Sequence, residues 1–195
     1  DAHPDINTDK TTVSGNIHGM PVAALLGMGE KSLTNILTPE QKLRPENIVM
    51  LGLRDIDPPE QKFLDELHIK YYTYDDICRN GLNVCIEQSI QHLSHTDAVH
   101  ISFDIDSMDP KLMPGVSVPV AGGFTQDEVH RMLSVFLNRL PVAAMDIVEF
   151  NMAHDIERRT SDFLNDLIQQ FLQMNEEDTA IYHTGDFLEA EPVFY

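Results

Sequence analysis

The segment Asp97–Asp106 constrains the fold more than any other part of the sequence. Alternate positions from Val99 to Ile105 are apolar, which is typical of a buried strand, and two carboxylates, Asp104 and Asp106, lie at its end. Positions two apart in a strand point to the same side, so both carboxylates are expected to face one way. Two ionised carboxylates this close are costly to bury unless a cation lies between them. The segment therefore predicts a buried strand that ends in a metal site.

The rest of the chain alternates strand patterns with helix patterns. Strands are predicted at residues 47–53, 68–73, 97–106 and 142–148, with a last one at 179–183. Helices are predicted at residues 20–26, from 57 onward, and at 82–93, 125–138 and 160–174, and a capping-box pattern at Thr38 predicts one more. This alternation predicts an α/β fold, a three-layer parallel sheet with helices on both faces. All of residues 1–195 are expected to form a single domain with a loose acidic tail at roughly 185–195.

The net charge of the chain limits the kinds of molecule that it is expected to bind. The formal net charge is -19, which argues against nucleic acid and anionic membranes and favours a cationic small molecule. The sequence contains two cysteines, Cys78 and Cys85, which suit a reducing compartment better than a disulfide framework. No apolar run is long enough to predict a membrane span.

A second group of ligand-type residues opens the chain. Asp1, His3 and Asp5 alternate, so an extended backbone would aim all three side chains one way. Carboxylates with a single imidazole suit Mn²⁺ or Mg²⁺ better than structural zinc. Together with Asp104 and Asp106 they predict a carboxylate-rich site for two metal ions, which is typical of hydrolytic enzymes that generate hydroxide at neutral pH. Neither a nucleophile elbow nor a phosphate-binding loop competes with this interpretation.

Four stretches of the sequence form one recognisable set of motifs: Asp1–Thr8, Ser14–Pro21, Gly52–Pro58 and Ser102–Pro110 continued by Gly122-Gly123. Together they resemble the ureohydrolase superfamily, and within it the arginases. The first and last are similar to the two metal motifs of that family, and the second is similar to a segment of arginases rather than agmatinases. They follow one another in the family order across about residues 1–155, and the fold that the resemblance implies is arginase/deacetylase-like.

The resemblance implies a hydrolase with two Mn²⁺ ions that splits L-arginine into L-ornithine and urea. The implied metal ligands are Asp1, His3, Asp5, Asp104 and Asp106. It also implies that Asp106 carries a proton from the nucleophile to the departing amine and that His18 exchanges protons with water.

The resemblance also assigns the groups that hold the substrate. The implied contacts are Asn7 and Ser14 with the α-carboxylate, Asp57 and Glu60 with the α-amino group, and Glu149 with the guanidinium. Asp57 and Glu60 also form a capping-box pattern, and both roles can coexist. The family further implies a homotrimer or homohexamer, and a cytoplasmic location, with a mitochondrial one as the alternative.

The sequence departs from the family pattern in three places. The family has a further His ligand in a Gly-Asp-His motif upstream of the residue matched by Asp1. The chain is therefore expected to lack N-terminal strands of the fold, to bind manganese weakly and to have little activity alone. Val118 stands where the family usually has Thr before a proline, and Ser117 is expected to compensate if the loop is shifted by one residue. The residues after Asn151 depart from the usual Asn-Pro continuation.

Two alternative functions remain open at this point. One is another ureohydrolase, either an agmatinase or a guanidino-acid hydrolase, although Asn7, Ser14 and Asp57 argue against agmatine because agmatine has no α-carboxylate. The other is a catalytically inactive arginase-like subunit, which Val118 keeps open and the intact ligand residues oppose.

Overall fold

The computed structural model describes residues 1–182, and its side chains through residue 172. Within this part of the chain there are four strands: β1 (Val49–Leu53), β2 (Lys70–Thr73), β3 (Val99–Asp104) and β4 (Val142–Val148). The α-helices in the same range are α1 (Pro21–Leu25), α2 (Lys31–Thr34), α3 (Pro58–Glu66), α4 (Tyr74–Asn80), α5 (Leu82–Leu93), α6 (Gln126–Arg139) and α7 (Arg159–Tyr182). The predicted tail at 185–195 lies outside the described residues. No helix among residues 1–182 has the length and apolar character needed to cross a bilayer.

The strands form two parallel pairs, β1 with β2 and β3 with β4. Each pair is joined through helices, as parallel neighbours require. The main chain of Asp1 and Ala2 lies beside the end of β1, because the Asp1 amino group donates to Leu51 O at 3.1 Å and Arg54 N donates to Ala2 O at 2.9 Å. The opening residues of the chain are therefore fixed at the carboxyl end of this strand.

Strand β1 lies between two hydrophobic cores. Met50 and Leu53 belong to a core with residues of α1 and α3, whereas Val49 and Leu51 pack against the larger core built around β3, α5, α6 and α7. A register shift at Gly52 explains why Leu53 faces the same core as Met50. Helices thus cover both faces of this strand, as the predicted three-layer architecture requires.

The pair β3–β4 is covered on one face within the described residues. Phe103 and Ile147 pack into the larger core, whereas His100 and Asp146 are exposed on the opposite face. His100 Nε2 lies 3.1 Å from Asp146 Oδ2 across the two strands. The sequence did not reveal that one face of β3–β4 is exposed, because both faces contain apolar residues.

Two predicted elements are wrong. The capping-box pattern at Thr38 starts no helix, because the Lys42 ammonium group donates to the carbonyl oxygens of Thr34 and Thr38 and fixes the segment as a loop. The predicted strand at residues 179–183 is also wrong over 179–182, which belong to α7, and residue 183 lies outside the described part. Extending an existing helix requires no new nucleus, and this outweighs the β-propensity of a short segment.

Candidate active site

The first metal motif is positioned by main-chain contacts with its neighbours. Ala2 N donates to Asp106 Oδ1 at 3.1 Å, and His3 N donates to Asp1 Oδ1 at 2.7 Å. Asp5 has a φ of 53°, so the chain turns there instead of remaining extended as the sequence predicted.

The second metal motif differs from the predicted strand end in its local geometry. Strand β3 ends at Asp104, and Asp106 lies on a single 3-10 turn, Ile105–Ser107. The turn begins where the Asp104 side chain accepts a hydrogen bond from Asp106 N at 2.9 Å. The two carboxylates are therefore brought together by a capped turn, and the prediction that strand alternation aligns them is wrong.

The five predicted ligands converge in two groups that share one member. Ligand atoms of Asp1, His3 and Asp106 lie within 4.8 Å of one another, and so do those of Asp1, Asp5 and Asp104. A carboxylate common to both groups is the arrangement expected for two neighbouring cations, and oxygen donors with one imidazole suit Mn²⁺. The residues present thus fit the pair of metal ions that the sequence predicted.

The electrostatics of the group indicate an excess of negative charge. Burial raises the pKa of Asp104 to about 8, and the neighbouring charge of Asp106 acts in the same direction. Burial also raises the pKa of Asp5 to about 6. Both carboxyl groups therefore resist ionisation unless a positive charge is placed beside them.

Asp106 and His3 form an ion pair within this group. His3 Nδ1 lies 3.0 Å from Asp106 Oδ2. Burial is the largest single influence on Asp106 and acts against its ionisation, but the hydrogen bonds with His3, Ala2 N and Asp104, together with the charge of His3, outweigh it and lower the pKa of this carboxyl. For His3 burial likewise acts against the charged form, and the contact with Asp106 raises its pKa. Asp55 Oδ2 lies 3.7 Å from His3 Nε2 on the other side of the ring, consistent with an orienting contact.

His18 and Glu149 lie together although 131 positions separate them in the chain. His18 Nδ1 is 3.9 Å from Glu149 Oε1, too far for a direct hydrogen bond but close enough for an electrostatic interaction. Glu149 directly follows β4 and has a φ of 61°, an unusual backbone conformation for a glutamate. Such conformations occur where the surrounding structure imposes them, often at functional sites.

The predicted α-amino contacts form a network with Asn7. Asn7 Nδ2 donates to Asp57 Oδ2 at 3.2 Å. Glu60 is 5% exposed, and its two oxygens accept from Ile6 N at 3.2 Å and from Asp57 N at 3.1 Å. Glu60 therefore links α3 to the first metal motif, and its direct contact with a substrate stays a prediction.

The remaining predicted residues lie on loops. Ser14 is exposed, and its hydroxyl oxygen accepts a hydrogen bond from Asn16 N at 3.2 Å. Val118 is 38% exposed, and the neighbouring Ser117 hydroxyl accepts from Asn151 Nδ2 at 3.0 Å. The hydroxyl that was expected to compensate for Val118 is thus engaged by the residue two positions after Glu149.

Two residues near the ligands were missed by the sequence interpretation. Arg54 directs its guanidinium at the main chain of the second metal motif. Gly123 lies so close to that motif that a Cβ atom there would be 2.5 Å from Ser107 O. Both belong to stretches quoted above for the family resemblance, but their roles depend on contacts that sequence spacing does not reveal.

The fold and the site together define a class, namely parallel α/β proteins with a carboxylate-rich candidate metal centre beyond the strand ends. A model of the Arginase family matches residues 1–173. The chain belongs to the arginase family, which confirms the resemblance inferred from the four stretches. Arginases are hydrolases of the ureohydrolase superfamily.

Individual relatives agree with this assignment. The chain is 39% identical to the arginase of Bacillus subtilis (strain 168) over 172 residues, which are 88% of this chain and 58% of the relative. It is 41% identical to the arginase of Bacillus caldovelox over 162 residues, which are 83% of this chain and 54% of the relative. The chain thus spans little more than half the length of these relatives.

Solved structures confirm the predicted fold. The native arginase from Bacillus caldovelox superimposes with a TM-score of 0.81 over 84% of this chain and 55% of its own, at 41% identity. The arginase from Bacillus subtilis superimposes with a TM-score of 0.84 over 86% of this chain and 58% of its own, at 39% identity. The arginase-like α/β architecture is therefore the fold of this chain.

Proposed function

We propose that the protein is a binuclear manganese hydrolase that cleaves the guanidinium group of L-arginine to give L-ornithine and urea. The observation that carries the proposal is the pair of ligand groups that share Asp1, together with the family membership of the chain. Two Mn²⁺ ions held by these groups would supply a hydroxide nucleophile at neutral pH by lowering the pKa of a water molecule. This is the chemistry that hydrolysis of a resonance-stabilised guanidinium requires.

The chain's own residues then divide the remaining work. The Asp106 carboxylate accepts the proton of the nucleophile and delivers it to the departing amine. The hydrogen bond from Ala2 N to Asp106 Oδ1 and the contact of Asp106 with His3 orient this carboxylate for the transfer. His18 has a half-exposed side chain, so it can exchange protons with bulk water beside Glu149.

Substrate selection is proposed to depend on both ends of the arginine molecule. Glu149 binds the guanidinium, and Asp57, oriented by Asn7, faces the α-amino group. Ser14 has a hydroxyl hydrogen available for the α-carboxylate, since its oxygen is the acceptor in the contact with Asn16. The strongly acidic composition favours approach of a cationic substrate.

Comparison of L-arginine with agmatine tests the substrate. In the presence of saturating Mn²⁺, we expect the full-length protein to release urea from L-arginine and little from agmatine, which has no α-carboxylate. Glu149→Gln is expected to lower urea release from L-arginine about 100-fold or more, because it removes the charge that binds the guanidinium. Glu66→Gln is the matched control, since Glu66 is exposed on α3 and pairs with Lys62.

Each failure points to a different conclusion. Equal turnover of agmatine would favour another ureohydrolase, and tight Mn²⁺ binding without urea release from either compound would favour a catalytically inactive subunit. An unchanged rate in Glu149→Gln would contradict the role given to that residue.

The cellular setting is also a proposal. A reducing, cytoplasmic location is supported by the two free cysteines, Cys78 and Cys85. The homotrimeric or homohexameric assembly and the single domain over residues 1–195 stay predictions from the family resemblance.

A further inference from the structure

Arg54, directly after β1, makes an unusual number of contacts with the main chain. Its guanidinium donates to six carbonyl oxygens in three segments of the protein. These are Asp106 at 2.6 Å, Ser107 at 3.1 Å and Met108 at 3.3 Å in the second metal motif, Val120 at 3.0 Å and Ala121 at 3.3 Å in the following loop, and Gly52 at 3.2 Å in β1. The Arg54 side chain therefore links the main chains of these three segments.

The main chain of the same residue holds the first metal motif. Arg54 N donates to Ala2 O at 2.9 Å, and Ala2 N in turn donates to Asp106 Oδ1 at 3.1 Å. Ala2 lies between the predicted ligands Asp1 and His3. A closed circuit of hydrogen bonds therefore runs from Arg54 through the first motif to the Asp106 side chain, and back from the Asp106 carbonyl to Arg54.

This circuit connects the two metal motifs. The carbonyl contacts fix the backbone of the Ile105–Ser107 turn, and that turn directs the Asp106 carboxylate toward His3. We propose that Arg54 is a positioning residue that holds the second metal motif in register with the first, so that both ligand groups can use Asp1. The inference rests on the proposed function and extends it to a residue that touches neither metal nor substrate.

The chemistry of the side chain explains why arginine is needed. A planar guanidinium presents N–H donors in several fixed directions, whereas a lysine ammonium is a compact group on a flexible stem. Lysine at this position keeps the positive charge beside Asp106 but cannot reach three separate segments at once. Arg54→Lys therefore keeps the positive charge at this position and removes the hydrogen bonds that depend on the shape of the guanidinium.

The first test is amide hydrogen exchange of the metal-free protein. In Arg54→Lys we expect exchange at residues 105–109 and 120–124 to rise at least about tenfold, which corresponds to loss of one charge-assisted hydrogen bond. Exchange within α6, which lies outside the circuit, is expected to stay unchanged. Arg139→Lys is the matched control, because Arg139 pairs with Glu87 on the surface. A uniform rise that includes α6, or no change in either segment, would overturn the inference.

The second test is Mn²⁺ affinity measured by calorimetry on the same proteins. Arg54→Lys is expected to bind Mn²⁺ about 10- to 100-fold more weakly, the usual effect of removing a residue that orients metal ligands, with Arg139→Lys unchanged. Affinity equal to that of the unsubstituted protein would overturn the role of Arg54. Failure of the unsubstituted protein itself to bind Mn²⁺ would contradict the proposed function, while the exchange experiment still decides whether Arg54 positions the turn.

Discussion

Asp106→Asn is expected to lower the hydrolysis of L-arginine by at least about 100-fold and to weaken Mn²⁺ binding. The residue is 3% exposed, and each of its two carboxylate oxygens has a separate partner: Ala2 N donates to Oδ1, and His3 Nδ1 lies 3.0 Å from Oδ2. An amide has one oxygen, so its NH₂ group would face either the Ala2 N–H or the His3 ring. The substitution thus removes a charge and introduces a mismatched donor at a buried position.

The same motif supplies a matched control. Asp109 is three residues further on, and its Oδ1 accepts a hydrogen bond from Lys111 N at 3.0 Å in a turn that is separate from the ligand groups. An asparagine oxygen can accept this bond equally well, so Asp109→Asn is expected to keep both the urea release and the Mn²⁺ affinity. Comparable losses in the two variants would show that any acid in this motif is needed, which contradicts the specific role of Asp106.

Gly123→Ala is expected to destabilise the protein by at least about 3 kcal/mol, the sum of backbone strain and overpacking. Gly123 has a φ of 114°, which residues with a side chain rarely adopt, and its Cβ position lies 2.5 Å from Ser107 O and 2.7 Å from the carbonyl carbon of Met108. These are main-chain atoms of the second metal motif, and Ser107 O also accepts from Phe124 N. They cannot move away without breaking the local structure.

Substitution of Gly122 serves as a control, because it introduces backbone strain without steric crowding. Gly122 also has a positive φ, 79°, but the nearest atom to its Cβ position is Tyr74 Cδ1 at 4.0 Å. Gly122→Ala is therefore expected to cost only the backbone term, about 1–2 kcal/mol. Denaturant unfolding of the metal-free proteins measures both values. Equal destabilisation of the two variants would contradict the close approach of Gly123 to the metal motif.

Local patterns predicted those parts of the molecule in which sequence neighbours decide the structure. The apolar run that ends at Asp104 forms β3, and the capping-box pattern that begins at Thr125 starts α6 with the expected hydrogen bonds. The pattern at Thr38 has the same form and starts no helix, because the contacts of Lys42 with Thr34 and Thr38 override it. A capping pattern favours a helix but cannot outweigh competing hydrogen bonds.

In the candidate site, too, the sequence predicted the residue types but not the contacts between distant residues. The residue types at Asp1, His3 and Asp5 predicted metal ligation, but local spacing indicated neither the positive φ of Asp5 nor that His3 and Asp5 belong to different ligand groups that share Asp1. Glu60 and Arg54 act through contacts with residues more than 45 positions away in the sequence, such as Ile6 and Asp106. Sequence reasoning can identify the chemistry of such side chains, whereas their partners depend on the packed fold.

The number of Mn²⁺ ions bound per chain at saturation tests the central claim most directly. Two ligand groups that share the Asp1 carboxylate predict two ions per chain, close enough for their electron spins to couple in the electron paramagnetic resonance spectrum. We expect a coupled signal to develop as the second equivalent binds and to be lost in Asp106→Asn. One ion per chain, or two ions with independent spectra that Asp106→Asn leaves unchanged, would contradict a binuclear site.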